Sequence, residues 1–226
     1  MTKMTAIVPV RRYDKLLKDR NLLPFGNGSL LSHKLSQLKE VSAIEEILVT
    51  SDCPVARDTA QALGVSFSER PAEHAAEFSR FNDFVRYIAE QCSSAHLIWC
   101  PVTCPLVLPA DYDAAISMYY SSINLGYDSL ITAVKEKRYL LDDSGPLSFR
   151  FDINKRNKER LPTFYEYVNA ISIAPTASMI EWGYNWGNFP VKYLLPASKR
   201  VDICDADDYF VARALYEAQK TEKQKA

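Results

Sequence analysis

The sequence has no marked excess of either charge, no long apolar run and no paired cysteine motif. Its 226 residues carry 27 Lys and Arg against 28 Asp and Glu, which leaves a net charge of −1. A protein that binds nucleic acid over a broad surface needs an excess of Lys and Arg to neutralise phosphates, so this class is excluded. No apolar stretch approaches the roughly 18–20 residues that cross a bilayer, so we expect no membrane association.

The amino-terminal region and the cysteines also exclude some classes of protein. The apolar stretch 6–10 is interrupted by Pro9 and closed by Arg11 and Arg12, so it is too short for the apolar part of a secretory signal. The cysteines are odd in number and form no CxxC pair, which argues against a disulfide framework and a zinc site. They lie at positions 53, 92, 100, 104 and 204. We therefore expect a soluble cytoplasmic protein.

Short apolar runs alternate with helical patterns along the chain, which is typical of βαβ units. The predicted strands cover 5–10, 47–50, 65–67, 95–99, 129–134, 168–173 and 191–195. Ser29 follows a glycine-containing turn and is the predicted N-cap of the first helix. The last helix is predicted at 206–218, and the polar tail after it is expected to fray. We predict a single domain over 1–226 with an α/β fold, a three-layer doubly wound and mostly parallel mixed sheet. An insertion at about 136–190 is expected to form a lid or dimerisation segment.

The loop after the first strand is dense in cationic side chains. Five fall within ten residues, namely Arg11, Arg12, Lys15, Lys18 and Arg20. Ligands of open α/β sheets bind beyond the carboxyl ends of the strands, and a cationic loop there suits a polyanion such as a triphosphate. The loop contains neither the P-loop motif nor the dinucleotide-binding glycine motif. A solvated, charged surface loop remains the alternative.

Two further strand ends carry polar groups. The turn 101–106 is bracketed by prolines, and it predicts either donors for a ligand, Thr103 among them, or a tight strand–helix connection. Near the carboxyl terminus, four carboxylates lie at a strand-to-helix junction: Asp202, Asp205, Asp207 and Asp208. They suit Mg²⁺ held against phosphate oxygens, or the positive end of the helix dipole with Asp205 as N-cap. Asp202, just before the junction, is the better ligand candidate.

Six motifs in order resemble those of the CMP-sialate and CMP-Kdo type cytidylyltransferases. The first is Ile7-Val8-Pro9-Val10-Arg11, with Lys15, Arg20-Asn21 and Pro24-Phe25 following at the family's spacing. The others are ILVTSD at 47–52, RPAEHA at 70–75, PVTCPL at 101–106, RLP at 160–162 with NAI at 169–171, and VDIC at 201–204. The match is collinear over nearly the whole chain, which is therefore identified as a divergent member of this family.

The resemblance implies a fold like that of the nucleotide-diphospho-sugar transferases and a CTP-dependent nucleotidyl transfer. CMP would pass from CTP to an acidic acceptor with release of pyrophosphate, by positioning and charge neutralisation. The implied nucleotide-binding residues are Val10, Arg11, Arg12, Lys15, Asn21, Arg70 and Thr103, with Arg11 and Lys15 in the catalytic role. The implied metal is Mg²⁺, at Asp202 with Asp205; the acceptor residues are Arg156, Lys158, Arg160 and Asn169. The family also implies a homodimer in which the inserted segment covers the partner's site.

Departures from the family motifs concern the metal and the acceptor. Cys204 stands where the family has a second Asp, and a thiol is a poor ligand for a hard cation. Either Asp205 takes its place, or one carboxylate acts with phosphates and water, or metal binding is impaired. Because the acceptor-side motifs depart most, the sequence predicts an acceptor other than N-acetylneuraminate. A different nonulosonate or a Kdo-like sugar acid comes first, and a small phosphonate or a catalytically silent, nucleotide-binding relative are the alternatives.

The remaining candidate residues receive a structural interpretation. His33, beside Lys34 on the first helix, is predicted to lie at the surface or an interface, and the three histidines form no triad or metal set. Cys100 and Cys104 flank a proline turn without an obvious His partner, so a catalytic thiol is disfavoured. The aromatic group at 182–189 is expected to be core or dimer contact rather than a stacking platform.

Overall fold

The computed structural model describes residues 4–12, 15–76, 79–150 and 158–225. Its strands are β1 (Met4–Pro9), β2 (Pro24–Phe25), β3 (Gly28–Ser29), β4 (Ile44–Ser51), β5 (Ser66–Glu69), β6 (His96–Trp99), β7 (Ser129–Glu136), β8 (Leu141–Asp142), β9 (Gly145–Pro146), β10 (Phe164–Pro175) and β11 (Pro190–Leu194). Its helices are α1 (Leu30–Lys39), α2 (Pro54–Ala62), α3 (Ala72–Ala75), α4 (Phe81–Glu90), α5 (Pro109–Ile123), α6 (Thr176–Trp182) and α7 (Ala206–Lys225). Short 3₁₀ turns lie at Arg20–Leu22, Lys158–Arg160 and Ala197–Lys199. None of the helices in the described residues is both long and apolar enough to cross a bilayer.

Seven strands form the central sheet in the order β11-β7-β10-β6-β1-β4-β5. Every pairing is parallel except those of β10, which is antiparallel to both β6 and β7. The sheet is therefore mixed and mostly parallel, which confirms the predicted fold class. The carboxyl ends of six strands meet at one edge, and the first half of β10 lies at that same edge.

The alternation of side chains along the strands sends them into two apolar clusters, one on each face of the sheet. Ala6, Val8 and Val49 belong to the larger cluster, which includes side chains of α1 and α5. Ile7 and Leu48 belong to the smaller cluster, with side chains of α4 and with Met179 of α6. Because successive strand residues point to opposite faces, this division places helices on both sides of the sheet, in three layers.

Local signals fix the ends of the first two helices as predicted. Ser29 Oγ accepts a hydrogen bond from the Ser32 amide at 3.1 Å, and Ser32 Oγ accepts one from the Ser29 amide at 2.8 Å. This reciprocal arrangement satisfies two amide donors at the start of α1. Gly64, at φ +65°, follows the end of α2 in the left-handed conformation that glycine adopts without strain.

The predicted insertion at 136–190 is too long. β10 lies inside the central sheet between β7 and β6, and α6 packs on the same side as α4. The pairing of β10 joins strands that are distant along the chain, so a change of local rhythm cannot reveal it. Between β7 and β10, the described residues that lie outside the central sheet are 137–150 and 158–163. The final helix also continues to Lys225 rather than ending at 218, since its Glu, Lys and Gln residues are good helix formers.

Candidate functional site

The carboxyl edge of the sheet brings together residues that are far apart in the chain. Val10, just after β1, donates its amide to Thr50 O at 3.0 Å, and Arg70, just after β5, donates its amide to Ser51 O at 2.9 Å. On the other side, the Ile203 amide donates to Thr103 O at 2.9 Å. These backbone bonds join five of the predicted motifs in two groups at this edge, those at 7–11, 47–52 and 70–75 in one group and those at 101–106 and 201–204 in the other.

The loop after β1 presents its cations to solvent. Arg11, Arg12 and Lys15 are exposed, and the Arg12 amide donates to Asp52 Oδ1 at 3.1 Å. Asn21 is buried, and its amide nitrogen donates to Arg11 O at 3.3 Å. In this structure Asn21 therefore shapes the loop that carries the cations. Tyr13 and Asp14, which replace small residues of the family motif, lie outside the described residues.

Arg70 is buried beneath this loop, with only 3% of its surface exposed. Its guanidinium lies 3.9 Å from the centre of the Phe84 ring and donates to Thr50 O at 3.1 Å. Burial and the nearby charge of Arg11 lower the pKa of Arg70 to about 10, while Asp52 acts in the opposite direction. Within the described residues, Arg70 Nε and Thr50 Oγ1 are buried without a hydrogen-bond partner.

Helix α1 holds the proline-bracketed turn from below. Lys34 Nζ donates to Cys104 O at 2.9 Å and to the Tyr112 hydroxyl at 2.5 Å. Gln37 donates to Pro105 O at 3.1 Å, and His33 Nε2 lies 3.2 Å from the same oxygen. These bonds fix the backbone of the turn that carries Thr103.

His33 is not an exposed surface residue, so that alternative of its prediction is wrong, while the interface alternative stays a prediction. Lys34 is fully buried, and His33 is partly buried against the rings of Phe25 and Tyr216. The signal was present in the sequence, because Lys34 is four residues from both Leu30 and Leu38 and so lies on the apolar stripe of α1. A charged residue at such a position is normally assigned to solvent, which is why the interpretation failed.

The carboxylates at 202–208, which we call the acidic corner, differ in their contacts. Asp205 Oδ1 accepts a hydrogen bond from the Asp208 amide at 3.0 Å, so Asp205 caps α7. Asp208 Oδ2 accepts from the Cys204 amide at 2.9 Å. Asp202 is partly buried beside Thr103 and Cys104, and the neighbouring Ile203 O accepts from Arg20 at 3.0 Å.

The capping role of Asp205 favours the second interpretation of the acidic cluster for that residue. No group of three or more His, Cys, Asp and Glu side chains in the described ranges is placed to hold a metal ion. Mg²⁺ commonly takes one or two carboxylates together with substrate phosphates, rather than a cage built from protein alone. The oxygen donors of Asp202 fit that requirement, whereas the thiol of Cys204 does not.

The acceptor-side residues are only partly assembled. Asn169 lies on β10 at the same edge; its Oδ1 accepts from the Tyr167 hydroxyl at 3.1 Å, and its carbonyl accepts from Cys104 Sγ at 3.4 Å. Lys158 and Arg160 are exposed on a 3₁₀ turn. Arg156 lies outside the described residues. Asn169 is thus joined to the Thr103 turn. Among the contacts of the described part of the chain, none joins Lys158 or Arg160 to that turn.

The aromatic group is divided between core and surface. Trp182 packs against the smaller apolar cluster, as expected of a core residue. Tyr184 contacts the rings of Phe81 and Trp186, and Trp186 in turn contacts Tyr167. Phe189 is 70% exposed. A dimer contact therefore remains a prediction for the exposed members.

The thiols do not provide a nucleophile. All five cysteines are free, as expected of a chain without a disulfide framework. Burial raises the pKa of Cys100 to about 12, and burial with the nearby Asp202 raises that of Cys104. Both thiols are therefore protonated near neutral pH, which agrees with a structural role.

Comparison with known proteins agrees with this geometry. The family model described as cytidylyltransferase matches residues 5–181. Over 231 aligned residues the chain is 24% identical to the N-acylneuraminate cytidylyltransferase of Escherichia coli O18:K1:H7 (strain RS218 / NMEC). That alignment covers 98% of the chain but 54% of the relative, so the chain spans about half the length of this curated protein.

Solved structures share the fold at low sequence identity. A CMP:2-keto-3-deoxy-manno-octonic acid synthetase complexed with CTP aligns with a TM-score of 0.68 at 14% identity, covering 96% of this chain and 100% of that one. A cytidylyltransferase from Leptospira borgpetersenii serovar Hardjo-bovis (strain JB197) aligns with a TM-score of 0.64 at 15% identity, covering 99% and 96%. A 4-diphosphocytidyl-2C-methyl-D-erythritol synthase from Anaerococcus prevotii DSM 20548 aligns with a TM-score of 0.60 at 11% identity, covering 96% and 99%.

The family model spans more than three quarters of the chain and includes the strand ends that carry Val10, Arg70 and Thr103, whereas the carboxylates at 202–208 lie beyond the matched residues. The resemblance found in the sequence motifs is thereby confirmed, including the divergence that the low identities express. The chain belongs to the cytidylyltransferase family.

Proposed function

We propose that this chain transfers CMP from CTP to an acidic sugar, a nonulosonate or Kdo-like acid, and releases pyrophosphate. The observation that carries the proposal is the junction of the cationic loop with the acidic corner. Arg20, at the end of that loop, donates to the carbonyl of Ile203, next to Asp202. A triphosphate and a carboxylate that holds its metal ion require this combination of charges at one sheet edge.

The cations of the β1 loop would bind the triphosphate. The acceptor oxyanion would attack the α-phosphorus of CTP and form a new P–O bond. The bond between the α-phosphorus and the oxygen that bridges it to the β-phosphate would break, and pyrophosphate would leave with the negative charge. Arg11 and Lys15 would neutralise that charge as it develops, and Arg12 would add a side-chain donor where the family motif has glycine. A hydrogen bond to a charged group contributes about 1.5–3 kcal/mol, so these contacts can lower the barrier substantially.

Val10, Asn21, Arg70 and Thr103 would complete the nucleotide side. Arg70 would act from its buried position, where its guanidinium donates to Thr50 O and adds positive charge near Arg11. Asn21 would act by holding Arg11 O. The cytosine and ribose would then be recognised by a preformed edge, which reduces the ordering cost of binding.

Magnesium is part of the proposal, with Asp202 as its protein ligand. Bound Mg²⁺ supplies positive charge and a fixed geometry for the phosphate oxygens. The chain's contribution is to hold the Asp202 carboxylate beside the Thr103 turn, through the bond between the Ile203 amide and Thr103 O. Asp205 and Asp208 accept hydrogen bonds from backbone amides of this segment, so Asp202 is the carboxylate that we assign to the metal.

The acceptor class follows from the chemistry of the relatives and of the acceptor side. The matched curated relative and the CTP-bound structural relative are both named for sugar acids. Asn169, with Lys158, Arg160 and Arg156, would bind the carboxylate and hydroxyls of such an acid. We further propose a homodimer, with segment 137–163 covering the partner's site, and a cytoplasmic location, which the five free cysteines support.

A second candidate is a silent member of the family that binds nucleotide without turnover. The replacement of the family's second carboxylate by Cys204 favours it, because a thiol holds Mg²⁺ poorly. A phosphonate acceptor with the same nucleotide chemistry is the other alternative, since the acceptor-side motifs depart from the family.

The proposal is tested by pyrophosphate release from CTP and Mg²⁺ with a panel of acceptors. The panel contains N-acetylneuraminate, other nonulosonates, Kdo and a small phosphonate, with ATP and omission of the acceptor as controls. We expect release that requires an acidic sugar and CTP. Release with the phosphonate alone supports the second acceptor class, and CTP binding without any release supports the silent relative. N-Acetylneuraminate as the best acceptor would contradict the divergence that we infer on the acceptor side.

A further inference from the structure

The ammonium group of Lys34 is buried under the Thr103 turn. The side chain has no exposed surface, and its Nζ contacts Cys104 O and the Tyr112 hydroxyl. Tyr112 on α5 is itself fully buried. A lysine therefore crosses the apolar layer between α1 and α5 to reach the carboxyl edge of the sheet.

Stability of the fold alone does not account for a lysine at this position. Removing an ammonium group from water is costly, and burial lowers the pKa of Lys34 for that reason, against the nearby charges of Asp111 and Asp202. An apolar side chain of similar length would fill the same space without that cost. A residue whose burial lowers the stability of the fold is expected to have a role in the function of the site.

The turn that Lys34 holds is the point where the metal side and the acceptor side meet. Thr103 O accepts from the Ile203 amide, which fixes the backbone next to Asp202. The next residue, Cys104, donates its thiol to Asn169 O at 3.4 Å and offers its own carbonyl to Lys34. Displacement of this turn would move Asp202 and Asn169 together.

We infer that Lys34 is a positioning residue for the transfer step, acting through the Cys104 carbonyl on Asp202 and Asn169. This inference rests on the proposed function of the same edge. The cationic loop 11–20 is held by other bonds, such as that between Asn21 and Arg11 O. Loss of Lys34 should therefore impair turnover while leaving the affinity for CTP nearly intact.

The test compares Lys34→Met and the double variant Lys34→Met/Tyr112→Phe with Tyr119→Phe as a matched control. Tyr119 lies on α5, as Tyr112 does, and is fully buried. Its hydroxyl, however, forms a hydrogen bond of 2.8 Å with His96 Nδ1, at the amino end of β6. The double variant removes both members of the Lys34–Tyr112 hydrogen bond, a change that is close to neutral for stability when the shapes match, and leaves the Cys104 carbonyl without its donor. It provides a folded protein if the single variant is unstable.

Two readouts are measured on proteins shown to be folded by urea titration. Turnover with CTP and the acceptor should fall about 10- to 100-fold, because small displacements of reacting groups have costs of that size. The dissociation constant for CTP, from calorimetry, should stay within about threefold of the unaltered protein. Tyr119→Phe should keep turnover within about twofold.

Hydrogen exchange at the Ile203 amide provides a readout that needs no turnover. Without Lys34 the turn is less restrained, so exchange should accelerate about tenfold or more, whereas Tyr119→Phe should leave it unchanged. If the unaltered protein releases no pyrophosphate but exchange at Ile203 is faster in the Lys34 variants, the proposed function is wrong and the hold of Lys34 on the turn is supported. Unchanged exchange with unchanged turnover in the folded variants would overturn the inference.

Discussion

Asp202 and Asp205 are three residues apart, and the hydrogen bonds around them indicate different roles. Asp205 satisfies the Asp208 amide at the start of α7, whereas Asp202 lies beside the Thr103 turn before the helix begins. A carboxylate that caps a helix contributes to stability, and one that binds a metal ion with a phosphate contributes to turnover. The pair can therefore be separated by experiment.

We predict a large loss of turnover for Asp202→Asn and little change for Asp205→Asn. Asp202→Asn should lower turnover about 100-fold or more, since a charged ligand is lost where charge builds up in the transition state. Asp205→Asn retains an N-cap side chain, so the free energy of unfolding should change by less than about 1 kcal/mol and turnover by less than about threefold. Steady-state rates and urea unfolding measure both. Equal loss of turnover in the two variants would contradict the assignment of the metal to Asp202.

Cys204 offers a pH-dependent prediction at the same corner. Partial burial and the Asp202 carboxylate raise the pKa of this exposed thiol, with Arg20 acting in the opposite direction. Only the thiolate reacts with maleimide, and a raised pKa means a smaller thiolate fraction at neutral pH. Labelling of Cys204 should thus be slow at pH 7 and accelerate by about tenfold per pH unit as the pH rises toward that pKa. Mass spectrometry of quenched samples measures it; prior labelling of the buried Cys100 or Cys104 would contradict this account.

At the scale of elements, helix α1 is both a structural and a functional support. Its first turn is fixed by the reciprocal hydrogen bonds between Ser29 and Ser32. On its inner face, Lys34 and Gln37 donate hydrogen bonds to the backbone carbonyls of the turn at 104–105. The cap and the stripe were both visible in the sequence. The role of α1 at the site emerged only when α1 and the turn were seen in contact.

Ser29→Ala should destabilise the protein by about 1 kcal/mol, the typical cost of losing an N-cap side chain. Ser36, on the same helix, is exposed and bonds only to Ser32 O one turn earlier. Ser36→Ala should therefore change the free energy of unfolding by less than about 0.5 kcal/mol. Urea denaturation compares the two. Equal stabilities of the two variants would show that the cap contributes nothing.

The elements show where inference from sequence succeeds and where it stops. Apolar runs bounded by turns predicted the parallel strands, and the rule that ligands bind after such strands selected the cationic loop after β1 and the turn that carries Thr103. Val10 and Arg70 were implied by the family resemblance. The burial of Arg70 against Phe84 depends on a tertiary contact, as does the hold of Asn21 on Arg11 O, so neither could be foreseen. The position of β10 between β6 and β7 was missed for the same reason.

For the whole molecule, the near-equality of 27 basic and 28 acidic residues conceals an ordered distribution of charge. The fold brings the basic loop 11–20 against the acidic corner 202–208 through the bond between Arg20 and Ile203 O. Both segments follow strands of one sheet, so topology rather than net charge creates the site. The central claim is that this edge joins CMP to an acidic sugar.

Transfer of radioactive phosphorus from α-labelled CTP tests that claim most directly. The full chain is incubated with Mg²⁺, labelled CTP and an acidic sugar. The products are then separated and identified by mass spectrometry. The account predicts that label enters a CMP–sugar conjugate, with one pyrophosphate released for each conjugate formed. Label that remains in CTP with every acidic sugar, or that appears only as free CMP, would contradict it.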